Sequence, residues 1–144
     1  MRVTFFGHRD APDRVAAAVE GVLRPLIEKE KADVFYVGNH GHFDRMVQGV
    51  LFRLRKEYPH IQAIEVLAYM PEQGDPLPAA ALDTLLPAEV VRGLPRFALL
   101  RRNDWMLRES DTVVCYVTHD FGGAAGMKRK ALAKGKRVIE LSEK

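Results

Sequence analysis

Four of the five histidines, with Arg9, Asp10, Asp44 and Asp120, fall in three short turns punctuated by glycine. The first is Gly7-His8-Arg9-Asp10, the second Gly38-Asn39-His40-Gly41-His42-Phe43-Asp44, and the third Thr118-His119-Asp120-Phe121-Gly122-Gly123. Each follows a short apolar run and precedes a segment of helical periodicity or composition. Strand, glycine turn and helix is the layout in which backbone N–H groups at a helix start face an anion, usually phosphate. It is also the layout of an ordinary tight βα connection, so residues 112–130, taken alone, support both readings.

A fourth group comes from the helical segment 97–110. Ala98, Leu99, Leu100, Trp105, Met106 and Leu107 span a wide apolar arc, opposed by a polar stripe of Arg101, Asp104 and Arg108. Arg102 and Asn103 fall inside the apolar arc, where a polar group is costly unless paired. Either Arg102 snorkels and Asn103 caps a nearby loop, or both point at a ligand. The second reading is preferred, because guanidinium forks such as Arg9 and Arg102 match the oxygens of phosphate.

Other chemistries fit less well. His8, His40, His42 and His119, with Asp44 and Asp120 nearby, suit a zinc-like ion by type. No spaced signature such as HExxH accompanies them, so metal is the minority reading and none is expected. Only two serines occur, Ser110 and Ser142, and both lie outside the three turns. Cys115 sits inside a strand, which leaves no obvious Ser or Cys nucleophile. Neither GxGxxG nor GxxxxGK[ST] is present, so the chain is not read as a P-loop NTPase and no resident cofactor is assigned.

The elements that must position these turns follow from the apolar pattern. Strands are expected at 2–6, 33–37, 61–69, 112–117 and 138–141, with helices between them. Asp10 is expected to cap the first helix, and Pro25 to kink or end it. Residues 70–96 hold five of the eight prolines and read as a long irregular excursion. Such a stretch is uncommon and usually functional. The fold class expected is α/β, a Rossmann-like three-layer sandwich with a mainly parallel five-stranded sheet in the order 3-2-1-4-5. Ligands in such sheets bind beyond the carboxyl ends of the strands, where the winding reverses. The three glycine turns meet there, which moves the balance of the third turn toward phosphate.

The 144 residues are expected to form one domain. With 47% hydrophobic and 28% charged residues, the composition is that of an ordinary globular protein. No apolar run approaches a membrane span, and the early charges do not suit a signal peptide. One cysteine rules out a disulfide within the chain. Cytoplasmic localisation and no membrane partner are the expectations. The charge of +3 is uneven: residues 121–139 carry Lys128, Arg129, Lys130, Lys134, Lys136 and Arg137 without an acid. Such a run attracts phosphate or nucleic acid, or is a solvated helix face.

Taken together, Phe5-Phe6-Gly7-His8-Arg9, the turn 38–44, Arg102-Asn103 with Met106, Ser110-Asp111 and Gly122-Gly123 resemble the SLOG superfamily. This is the Rossmann-like group of the DNA-processing protein DprA/Smf and the LOG cytokinin-activating hydrolases, and the small YpsA-like bacterial branch is the most similar part of it. The resemblance spans nearly the whole chain outside the proline-rich excursion. It implies a nucleotide or nucleotide-derived ligand, with its phosphate at the Gly122-Gly123 helix start, and a homo-oligomer. The candidate binding residues are Gly7, His8, Arg9, Gly38, Asn39, Gly41, Asp44, Arg102, Asn103, Thr118, His119, Gly122, Gly123 and Ala124. LOG enzymes cleave an N-glycosidic bond with the glutamate of a PGGxGTxxE motif. Arg129 stands near that place here, leaving Asp44 and Asp120 as the candidate acids for hydrolysis or transfer. Binding of a nucleotide, as sensor or enzyme, is the leading expectation. N-glycosidic hydrolysis or transfer and single-stranded nucleic-acid binding are the alternatives.

Overall fold

The computed structural model describes residues 1–70 and 82–141. Six strands run β1 (Arg2–Gly7), β2 (Val34–Val37), β3 (Gln62–Val66), β4 (Asp83–Leu85), β5 (Thr112–Tyr116) and β6 (Arg137–Glu140). The helices are α1 (Val15–Lys29), α2 (His42–Glu57), α3 (Ala88–Val91), α4 (Ala98–Arg108) and α5 (Gly123–Ala133). All strands pair in parallel in the order β4-β3-β2-β1-β5-β6.

Period-two alternation divides the core into two layers. Val3, Phe5, Phe35, Val37, Val114 and Tyr116 pack with Val15, Val19 and Leu23 of α1 and Phe43, Val47 and Leu51 of α2. Phe6, Tyr36, Val113 and Cys115 pack on the opposite face with Met106 and Leu107 of α4 and Met127 and Ala131 of α5. Helices therefore cover both faces, and β1 and β5 are apolar on both sides because neither face meets water. The winding changes direction between β1 and β5, which opens a crevice at their carboxyl ends.

The sheet has six strands, where the sequence reading expected five. Residues 83–85 extend the expected order at the β3 edge, pairing Ile64 with Asp83 and Val66 with Leu85. Every residue of β4 is exposed, so the strand is held by backbone pairing and carries no apolar pattern. The part of the proline-rich excursion within the described residues is thus ordered as β4, α3 and a 3-10 turn at Pro95–Phe97. Residues 71–81 of that excursion lie outside the described residues.

Two local expectations also change. Asp10 caps nothing, since α1 starts later, after turns closed by Val15 N–H to the Pro12 carbonyl and Ala16 N–H to the Asp13 carbonyl. Pro25 does not end α1, which continues to Lys29. Both Pro25 and Gly21, four residues earlier, are exposed, so water can reach the carbonyl that proline leaves unpaired. The buried stripe of Val15, Val19, Leu23, Leu26 and Ile27 holds the helix through the break.

Candidate functional site

A cleft of about 360 Å³ opens at the carboxyl edge of the sheet. Gly7 and Arg9 from the β1 turn, His40 and Asp44 from the β2 turn, and Gly122, Gly123 and Ala124 from the β5 turn line it. Arg102, Asn103, Leu99 and Met106 close it from α4, and Phe5 and Phe6 contribute from β1. This is the size and mixed apolar–polar character of a small-molecule site.

Two helices begin at its rim with the same backbone turn. The N-cap residues are Gly41 for α2 (φ 93°, ψ 176°) and Gly122 for α5 (φ 91°, ψ 177°). That region of backbone space is essentially open to glycine alone. Neither N-cap supplies a side-chain acceptor to the first-turn amides. At α2 the His42 N–H is taken by the Arg9 carbonyl and Asp44 already puts a carboxylate in the first turn. It is therefore the first turn of α5, which holds no acidic residue, whose partial positive charge favours an anion beside it.

Arg102 organises the floor. Only 3% exposed, it donates through Nε to Asn103 Oδ1 (2.9 Å) and through Nη1 to Asn39 Oδ1 (3.1 Å) and the Val66 carbonyl (3.3 Å). Nη2 has no hydrogen-bond partner among the described residues, which leaves one edge of the fork for the cleft. Burial lowers the Arg102 pKa from its ordinary value, while the charges of Asp44, Glu65 and Tyr69 act in the opposite direction. Gly38 lies between the charges. A Cβ there would stand 2.8 Å from Asp44 Oδ2 and 2.9 Å from the Arg102 guanidinium carbon. Gln48 Nε2 pins this turn by donating to the Gly38 carbonyl at 2.7 Å. Arg9, exposed at the rim, brings the second guanidinium.

Asp44 is 8% exposed and accepts the His40 N–H at 2.9 Å. Burial raises its pKa from 3.8 to about 6, with Glu65 adding to the rise and the His40 amide and Arg102 opposing it. A group whose folded pKa is raised stabilises the fold below its unfolded value, and that contribution is lost as pH rises through the folded value. The loss here falls between pH 3.8 and about 6, and corresponds to about 3 kcal/mol. Asp44→Asn should therefore gain stability on wild type across this window, by about 3 kcal/mol between pH 3 and pH 7. Urea denaturation of both proteins across that range checks it; parallel stability profiles would remove the assignment.

The third turn is braced from three sides. His8 Nε2 accepts the Thr118 N–H at 2.9 Å, which puts the proton of neutral His8 on Nδ1. Burial, then the neighbouring His119, lower the His8 pKa and keep that acceptor available. His119 Nδ1 donates to the Phe121 carbonyl at 3.0 Å, and Arg129 Nη1 donates to the Asp120 carbonyl at 2.9 Å. Arg129 is thus a brace for the turn.

The remaining candidates divide plainly. His8, Gly38, Asn39 and Gly41 support the cleft through the contacts above without lining it. Thr118, His119 and Asp120 line a separate depression of about 490 Å³ with Lys128 and Arg129. Of the two candidate acids, Asp44 alone faces the cleft. The four histidines do not converge. His8 stacks on His119, His42 pairs with Asp13, and no group of three His, Cys, Asp or Glu side chains among the described residues is placed to hold a metal.

The sequence reading missed Glu65, which burial pushes above its ordinary pKa while neighbouring Asn39, Gln48 and Arg102 act in the opposite direction. A carboxylate inside the apolar run of β3 was the available signal.

Fold and cleft define a Rossmann-like α/β protein with a crevice at its topological switch point. Neither protein-family models nor curated proteins give a match to the chain. Among solved structures, DNA processing protein A (DprA) from Streptococcus pneumoniae shares this fold, with a TM-score of 0.65 and 16% sequence identity. The match covers 96% of this chain and 49% of that one, so this chain spans about half the length of that protein. No helix among the described residues is long and apolar enough to cross a membrane.

Proposed function

We propose that the chain is a SLOG-type protein, of the small YpsA-like kind, that binds the phosphate of a nucleotide or nucleotide-derived molecule in the cleft, as sensor or enzyme. One observation carries this. Arg9, Arg102 and the first turn of α5 come from three separate parts of the chain and converge on one cleft. Phosphate satisfies all of them together, since forked guanidinium donors and uncapped amides both favour its oxygens. Asn103, which lines the cleft, then offers its remaining amide group to ribose or base, while Asn39 acts by holding Arg102. A homo-oligomer remains part of this reading through the resemblance alone.

Calorimetry with nucleoside mono-, di- and triphosphates tests the proposal. Binding should weaken about 10-fold or more in Arg9→Ala, the usual effect of deleting one charged hydrogen bond of about 1.5–3 kcal/mol. Silence across the panel would count decisively against it.

The fold shared with DprA supports a second reading, binding of single-stranded nucleic acid. The basic run offers it little. Lys128 pairs with Glu140, Lys130 with Asp104 and Arg137 with Glu30, while Lys136 donates to the Ser110 carbonyl. Steep salt dependence of an oligonucleotide gel shift would favour this reading. For hydrolysis or transfer, Asp44 is the acid better placed, and release of free base from a nucleoside monophosphate, lost in Asp44→Asn, is its signature.

A further inference from the structure

We infer that Phe121 is a stacking platform for a planar nucleobase, set beside the phosphate end of the cleft; this rests on the phosphate reading above. Five rings form a row from the core to the surface. Phe43 stacks on Tyr116 (centroids 6.5 Å apart), Tyr116 meets His8 edge-on (6.2 Å), His8 stacks on His119 (3.6 Å), and His119 stacks on Phe121 (3.9 Å). Exposure changes sharply along it, from 0% at Phe43 through 7% at His8 to 66% at Phe121.

His119 is covered on both faces. Two near-parallel rings with centroids within 4 Å of a third cannot share one side of it. The inner face of Phe121 is therefore occupied by His119, and its outer face is presented to solvent. A free phenylalanine at a loop tip would sample rotamers and fold onto apolar surface. This one is held outward by its stack, by the His119 bond to its own carbonyl, and by the Arg129 bond to the preceding one. Much of the entropy of ordering it is thus lost before any ligand arrives, which is how a preorganised contact gains affinity.

Its place in the chain says what would cover it. Phe121 directly precedes Gly122, Gly123 and Ala124, which line the cleft at the start of α5. Adjacent Cα atoms are about 3.8 Å apart, so the ring is carried by the residue next to the helix start at which an anion would sit. A nucleotide carries an anion and a flat base on one small molecule, which is the ligand class this adjacency suits. Stacking is tolerant of base identity, because every base has a π-face.

The test is calorimetric titration of AMP and ribose 5-phosphate into wild type, Phe121→Ala and Phe121→Tyr. Wild type should bind AMP more tightly than ribose 5-phosphate. Phe121→Ala should weaken AMP about 5-fold or more, the lower end of a lost base–aromatic stack. It should leave ribose 5-phosphate unchanged, and Phe121→Tyr should retain the AMP advantage. Equal wild-type affinity for the two compounds, or an equal effect of Phe121→Ala on both, would overturn the platform and leave the phosphate reading intact. If neither compound binds wild type, both readings fall together. A four-nucleotide deoxyadenylate in the same titration separates a free nucleotide from a strand as the source of the base. Tighter binding than AMP points to a strand, equal or weaker binding to a mononucleotide, and indifference of both ligands to Phe121→Ala overturns the proposal.

Discussion

Arg102→Ala is expected to weaken phosphate-ligand binding by at least about 100-fold, corresponding to roughly 3 kcal/mol for truncating one partner of a buried charge pair. The effect exceeds that expected at Arg9 because Arg102 is buried and already oriented. Asn39, Asn103 and the Val66 carbonyl fix two of its nitrogens, so the third meets a ligand without further ordering. Arg102→Lys should not restore binding. A single ammonium cannot hold those three acceptors and still present a fork to the cleft. The free protein should lose less, about 1–2 kcal/mol for the missing hydrogen bonds, because removing a buried cation also removes its desolvation cost. With that cation gone, the Asp44 pKa should climb further above about 6. Calorimetry and a carboxyl-resolved NMR titration measure the two effects. Unaltered binding in Arg102→Ala would take phosphate out of this cleft.

Gly7→Ala should be the most damaging single methyl addition near the site. A Cβ at Gly7 would stand 2.3–2.5 Å from three carbons of the Phe43 ring, which is itself fully buried. No real Cβ contact is that short, and the ring has no space into which to retreat. Overpacking of this severity is expected to cost at least about 3 kcal/mol, or roughly 10 °C in Tm. Phe43 is also the inner end of the ring row leading to Phe121, so base-dependent binding should suffer alongside stability. The double substitution Gly7→Ala with Phe43→Leu should recover part of the loss, since neighbours that share one volume are not additive. Thermal melts of the two single variants and the double variant check this. A Gly7→Ala protein as stable as wild type would mean that β1 and α2 sit further apart than described.

The same two residues show how unevenly the sequence spoke. Gly7 stood out as a turn glycine, yet its need is for closeness to Phe43, a residue 36 positions away (43 − 7). Arg102 and Asn103 stood out because helical periodicity put them on the apolar side of α4. Nothing local indicated that Asn39 and Val66 would meet the guanidinium there. The strand β4 was illegible because three exposed residues on an edge have no apolar period to display. At Pro25 local propensity left open a kink or an end to the helix, and the core stripe decided against the end.

By itself the sequence determined the alternation of strands and helices, the parallel sheet, and the meeting of three glycine turns at one edge. Those follow from period and punctuation, which act within a few residues along the chain. Only the tertiary structure decided which side chains of those turns face one another. It placed Arg9, Asp44 and Arg102 on the cleft, turned Thr118 and Asp120 away from it, and stacked His8, His119 and Phe121 into a row. Such pairings depend on distances between residues far apart in sequence. They are set by the packing of α2, α4 and α5 against the sheet, to which no short window of residues has access.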